Sequence, residues 1–159
     1  MSSALKRRFS FETVQPVGDV ALEKQIILDE VKSMAQNAGI TVPLDEDAAT
    51  LLATAYHELR QGVSAEGIRL KKPAAVMSTA EAVSVYYQTL MSAWYYSGPE
   101  QARHLDERDL AENLVGAVAK ESREELSVIR EYFSTIIQKK AERENGAWKR
   151  FYEAGKRLK

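Results

Sequence analysis

Residues 82–99 read AVSVYYQTLMSAWYYSGP, the longest run without a charged side chain in a sequence that is 28% charged. Ser78, Thr79, Ala80 and Glu81 open it as a capping box. The Ser78 hydroxyl is set to accept from the Glu81 backbone N–H, and the Glu81 carboxylate to accept from the Ser78 N–H. Gly98 and Pro99 supply the stop, so the pattern predicts a helix to about Ser97. At 100° per residue, Val83, Tyr86, Tyr87, Leu90, Ala93 and Trp94 share one broad face. Val85, Met91, Tyr95 and Tyr96 fall elsewhere round the circle. A helix with apolar side chains nearly all round is a buried one. Burial of each large side chain contributes about 1.5–3 kcal/mol, so neighbouring helices are expected to cover this one. Ser84, Gln88, Thr89, Ser92 and Ser97 interrupt it too often for a membrane span, which needs about 20 mostly apolar residues.

The flanking sequence supplies those neighbours. Asp19 is placed to cap a helix over 20–37, with Leu22, Ile26, Ile27, Val31 and Met34 as its stripe. Asp45 caps a second helix over 46–61, whose apolar face is Ala48, Leu51, Leu52, Ala55, Tyr56 and Leu59. GVSAEGIRLKKP, residues 62–73, is a loop with a basic end. Asp106 caps a helix over 107–119 that buries Leu110, Leu114, Val115 and Val118. Ser122 to Glu125 is a second capping box. It starts a helix to about Glu144 with Leu126, Ile129, Tyr132, Phe133, Ile136 and Ile137 in its stripe. Asn145 and Gly146 break the chain before a last short helix carrying Trp148, Phe151 and Tyr152. Before all of these, FSFETVQPV (residues 9–17) alternates like an extended segment and has no partner strand. The expected fold is all-α, a bundle of five to six helices behind a short N-terminal extended segment.

Composition narrows the chemistry. The chain has 159 residues and 45% hydrophobic content, which is enough for a real core. With no cysteine, disulfides, thiolate catalysis and zinc–thiolate sites are excluded. The basic start, MSSALKRRFSFE, lacks the apolar block of a signal peptide, and a cytoplasmic location is expected. Charge is uneven. Residues 138–159 carry eight Lys/Arg against three Glu, a net +5. Residues 1–137 carry 14 against 20 Asp/Glu, a net −6. A basic tail on an acidic body points to docking on that body or on an acidic partner.

Several motif fragments fail on inspection. QIILDE (residues 25–30) looks like a metal-binding ATPase strand but sits in a helical pattern. The glycine spacing of 62–67 is followed by Ile68 and Arg69, where a phosphate loop needs Lys and Ser/Thr. His57–Glu58 lacks the second histidine of a zinc helix, because position 61 is Gln61. His104 has no evident partner. No metal site is expected. In the tail, Trp148, Phe151 and Tyr152 are spaced as a packing stripe, although aromatics among Lys149, Arg150, Lys156 and Arg157 also suit single-stranded nucleic acid.

Ala4 to Phe9 (ALKRRF), then Phe11–Glu12, Pro16 and a long helix, resembles the back end of a MoxR-type AAA+ ATPase module. In that family an arginine–Phe pair ends the last core helix, a final core strand follows, and a helical lid comes next. The helix opening at Ser78–Thr79–Ala80–Glu81–Ala82 is similar to the lid helix that carries the second sensor. The resemblance covers about residues 5–119. It implies the end of an AAA+ core over 1–18, a lid-like helical domain over 19–120 and a C-terminal extension over 121–159. It also implies that Arg7 or Arg8 reaches the γ-phosphate of ATP held by a neighbouring subunit. A guanidinium, always charged and bidentate toward phosphate oxygens, suits that task. Where the family tends to place a second-sensor arginine, this sequence has Ala80 followed by Glu81, a departure for which Arg69, Lys71 or Lys72 is the candidate substitute.

The resemblance implies ATP and magnesium in a parent protein, with no cofactor for this stretch alone, since the sequence contains no phosphate loop. The expected partners are an AAA+ core, neighbouring subunits of a ring and a protein target, rather than membrane or nucleic acid. A free-standing helical interaction module is the rival reading. A nucleic-acid binder acting through the tail is the third.

Overall fold

The computed structural model describes residues 16–74, 77–97, 105–119, 122–144 and 146–157. Six helices run through them: α1 (Val20–Asn37), α2 (Glu46–Gln61), α3 (Thr79–Ser97), α4 (Glu107–Ala119), α5 (123–143) and α6 (Ala147–Gly155). α5 is one rod in three pieces, α-helical over Arg123–Tyr132, π-helical over Phe133–Ile137 and α-helical again over Gln138–Arg143. Among the described residues the only β-type pairing is an isolated antiparallel bridge between Val63 and Arg69. The extended segment predicted at 9–17 lies outside the described residues except for Pro16 and Val17.

The caps form as their chemistry dictates. Asp19 accepts from the N–H groups of Ala21 and Leu22, and Asp45 from those of Asp47 and Ala48. Before α3 the box is reciprocal: the Glu81 N–H donates to Ser78 Oγ (3.2 Å) and the Ser78 N–H to Glu81 Oε2 (2.9 Å). The second box closes only half-way. The Glu125 N–H donates to Ser122 Oγ, but the Glu125 carboxylate accepts from the Ala74 N–H (2.9 Å) instead of reaching back. Ser122 is extended (φ −84°, ψ 122°), so α4 and α5 are separate helices and not one bent rod. α2 stops at Gly62, whose φ of 70° a side chain would strain and whose open Cα face receives the stem of Lys72.

α3 sits between α1 and α4 and also touches α2; α5 and α6 close against α4. Tyr86 and Leu90 are fully buried, as the covered helix requires. Tyr86 is also pinned. Its hydroxyl accepts from the Asp45 N–H (2.7 Å) and donates to the Asp45 carbonyl (2.9 Å), joining α3 to the start of α2. Two expectations change. Coverage of α3 is not complete, because Tyr95 and Tyr96 at its C-terminal end stand 74% and 82% exposed, edge to face with each other. On α1 the stripe is rotated: Leu22 and Met34 are 54% and 37% exposed, and the buried row is Glu23, Ile27, Val31 and Ala35. These four follow a strict i, i+4 spacing, and Glu23 is tolerated on the buried row because Arg60 and Thr79 satisfy its carboxylate, as described below.

The tail packs. Phe151 is fully buried with its ring 5.0 Å from that of Phe133, and Trp148 and Tyr152 lie half-buried on the same core. Gly155 sits directly on the Phe133 ring, leaving no room for a Cβ. Gly155→Ala is therefore expected to destabilise by about 1–3 kcal/mol through overpacking. Gly116→Ala, at a helical position with open space around it, should instead stabilise by about 0.5–1 kcal/mol. Urea unfolding of the two variants checks the contrast.

Candidate functional site

The residues marked for function fall in three places. Arg7 and Arg8 lie outside the described residues, as does His104. Arg69, Lys71 and Lys72 are all exposed and lie on the one loop between α2 and α3. None of the three has an ion-pair partner among the described residues. The loop is shaped by its own hydrogen bonds. The Ser64 N–H donates to the Ile68 carbonyl (2.8 Å), the Gly67 N–H to the Ser64 carbonyl (2.9 Å), and the Leu70 N–H to the Gly62 carbonyl (2.9 Å). Three cations without ion-pair partners on one folded-back loop raise the local positive potential.

Two buried carboxylates support that loop, and neither was singled out from sequence. Glu58 is buried in the last turn of α2. Its Oε2 accepts from the Tyr132 hydroxyl of α5 (2.7 Å), and its Oε1 accepts from the loop N–H of Ala65 (2.9 Å). Lys140 Nζ lies 3.0 Å from the same Oε1 and also over the Trp148 ring. Burial and the adjacent Glu58 charge push the Tyr132 phenol well above its ordinary pKa, so it stays a donor. On the loop, Glu66 pairs with Lys140 (3.4 Å) and Arg143 (3.6 Å).

Glu23 is the second. Fully buried on α1, it meets Arg60 of α2 in a two-pronged pair, NH2 to Oε2 at 2.6 Å and NH1 to Oε1 at 3.1 Å. Thr79 Oγ1 at the start of α3 donates to Glu23 Oε1 (2.9 Å). Arg60 also donates to the carbonyls of Met77 (2.7 Å) and Val17 (3.0 Å). One ion pair thus joins α1 and α2 to the approaches to α1 and α3, at Val17 and at Met77 and Thr79. Tyr56 lies nearby, its hydroxyl buried and without a hydrogen-bond partner. Burial first, and then the charges of Glu81 and Glu23, raise its pKa. His57 is half-buried at a helix rim with an unpartnered Nδ1. Among the described residues no group of His, Asp and Glu could hold a metal ion.

A signal for these residues was present. Glu23 stands in register with Ile27, Val31 and Ala35, and Glu58 with Leu51 and Ala55, so each is a charge on an apolar stripe. The basic tail docks on its own body. Besides Lys140 and Arg143, Arg150 pairs with Glu107 of α4, and Trp148 and Phe151 are occupied in packing. Those groups are not free to stack on bases. The QIILDE segment is helical throughout, as its pattern predicted.

Two measurements follow. Removing one member of the Glu23–Arg60 pair leaves a desolvated charge, so Glu23→Gln should cost about 3–5 kcal/mol in urea unfolding. Arg60→Met should cost at least as much, because two carbonyls lose their donor as well. A loss below about 1 kcal/mol for either would show the pair to be solvated. Glu66 gives a pH dependence. Burial raises its pKa, but bonds from Ser64 and its own backbone N–H, together with Lys140, outweigh that and hold it below the ordinary 4.5. A depressed folded pKa stabilises fully above the ordinary value and fades as pH falls through the lowered one. The stability gap between the native chain and Glu66→Gln should therefore be full near neutrality and shrink below about pH 4.5.

The model of the YehL-like AAA+ ATPase C-terminal domain matches residues 21–159. The chain is 32% identical over 158 residues to the uncharacterized protein YehL of Escherichia coli (strain K12). That match takes in 99% of this chain and 41% of the relative, so the chain spans under half of the relative's length. No solved structure matches. With a family match running from the start of α1 through the last helix, the chain belongs to the YehL-like AAA+ ATPase C-terminal domain family.

Proposed function

We propose that this domain serves as the lid and C-terminal extension of a MoxR-like AAA+ ATPase, coupling ATP binding and hydrolysis to movement between subunits of a ring. The observation that carries this is the exposed, unpaired cation set Arg69, Lys71 and Lys72, on a loop held against the helices that a lid would move. Such cations fit a polyphosphate: an ammonium or guanidinium in a partly screened site favours the charged oxygens and shifts with them. Arg7 and Arg8 take the part of a finger toward a neighbour's γ-phosphate. Magnesium has no cluster of ligands among the described residues, so no step is assigned to it on this chain. In the whole protein the ion would neutralise phosphate charge. The chain is not expected to turn over ATP alone, and its site of action would be the cytoplasm. Among the described residues no helix is long and apolar enough to cross a membrane. The exposed Tyr95–Tyr96 pair favours a second reading, a helical module that binds protein.

A chimera tests the first reading, with this chain replacing the matching segment of the Escherichia coli relative. Magnesium-dependent ATP turnover is expected. Arg7→Ala with Arg8→Ala should lower kcat by about 10³-fold or more. Replacing Arg69, Lys71 and Lys72 by alanine should chiefly raise KM. An assembled but inert chimera, or full turnover without the two arginines, would count against it, as would ATP hydrolysis by the 159-residue chain alone.

A further inference from the structure

The basic loop is held at both ends by the C-terminal helices. At its near end, the Ala65 N–H and Lys140 share one oxygen of Glu58, while Glu66 reaches from the loop to Lys140 and Arg143. At its far end, the Ala74 N–H donates to Glu125 Oε1 (2.9 Å). Glu125 and Lys140 are on the same rod, α5, 15 positions apart, which is roughly 22 Å of helix. The loop is therefore strapped along α5 at two separate points. The π turn Phe133–Ile137 lies between them. Its wider winding sets the phase of Lys140 relative to Glu125, so that the ammonium meets Glu58. Lys140 is itself held by α6, through the face of Trp148.

We infer that α5 and α6 act as a clamp that fixes the loop 62–74 and so governs how its three cations are presented. Any displacement of α5 takes Lys140, Arg143 and Glu125 away and so loosens the loop, which then keeps only its Ala65 N–H bond to Glu58 and its backbone bonds at the end of α2. The loop's other backbone bonds are to itself and to the end of α2, so its ties to the C-terminal helices are those of Glu66 and Ala74. The idea that the loop then meets a nucleotide rests on the function proposed above; the clamp itself does not.

Hydrogen exchange on the intact chain, without nucleotide, tests this. Lys140→Met keeps a stem over Trp148 and removes the charge; Glu125→Ala removes the far tether. In Lys140→Met the amides of Ser64, Ala65, Ile68 and Leu70 should exchange at least about tenfold faster, with those of Leu52 and Leu90 unchanged. In Glu125→Ala the acceleration should centre on Ala74. Should Lys140→Met fail to fold, Glu66→Ala, at a partly exposed position, removes the loop's own partner for Lys140 and Arg143 and should speed the same amides. Loop exchange equal to the native chain in the folded variants overturns the clamp, and so does acceleration spread evenly over the bundle. A chimera indifferent to nucleotide while loop protection persists would sink the nucleotide reading and leave the clamp standing.

Discussion

A carboxylate at the end of α2 has been taken out of water and given three partners, two on α5 and one on the loop that follows α2. Glu58 accepts from Tyr132 of α5 and from the Ala65 amide of the loop, and it faces Lys140 near the end of the same rod. Desolvating a carboxylate is costly, and only a complete set of donors offsets it. That requirement couples the first four helices to the last two. Apolar packing alone would bring them together with little directional preference. The charged cluster fixes the turn of α5 and the position of the loop at once, because loss of any donor leaves the others beside an under-satisfied charge.

Glu23 and Arg60 repeat the device at the other side of α2. The guanidinium donates to both carboxylate oxygens and to two backbone carbonyls, so the pair is satisfied by its surroundings and by itself. Its partners include the residue before the Ser78 cap, and Thr79 donates to the same carboxylate. The start of α3 is therefore set by an ion pair located on α1 and α2. Between them, the two buried carboxylates fix both ends of the segment that carries Arg69, Lys71 and Lys72. A loop bounded by two buried charge clusters is held in a fixed place relative to the helices on either side of it.

Sequence patterns gave the helix bounds because those depend on local chemistry. The Asp19, Asp45 and Ser78 caps satisfy donors within three residues, and Gly62 needs only its own φ. The all-α class, the burial of Tyr86 and Leu90 and the packing role of Phe151 follow from periodicity alone. The AAA+ kinship was legible in short motifs near Arg7 and Ser78, and the family match bears out that coarser assignment.

Tertiary structure decided what periodicity could not. It rotated α1 so that Glu23 replaced Leu22 in the core, since a carboxylate on an apolar stripe can be placed only when its partner, 37 residues away, is known. It left Tyr95 and Tyr96 in solvent, because coverage of a helix depends on where its neighbours end. It sent Glu125 to Ala74, 51 residues away, and not to its own cap. Local order is written in neighbouring residues; the pairing of buried charges is a property of distances that only the folded chain creates.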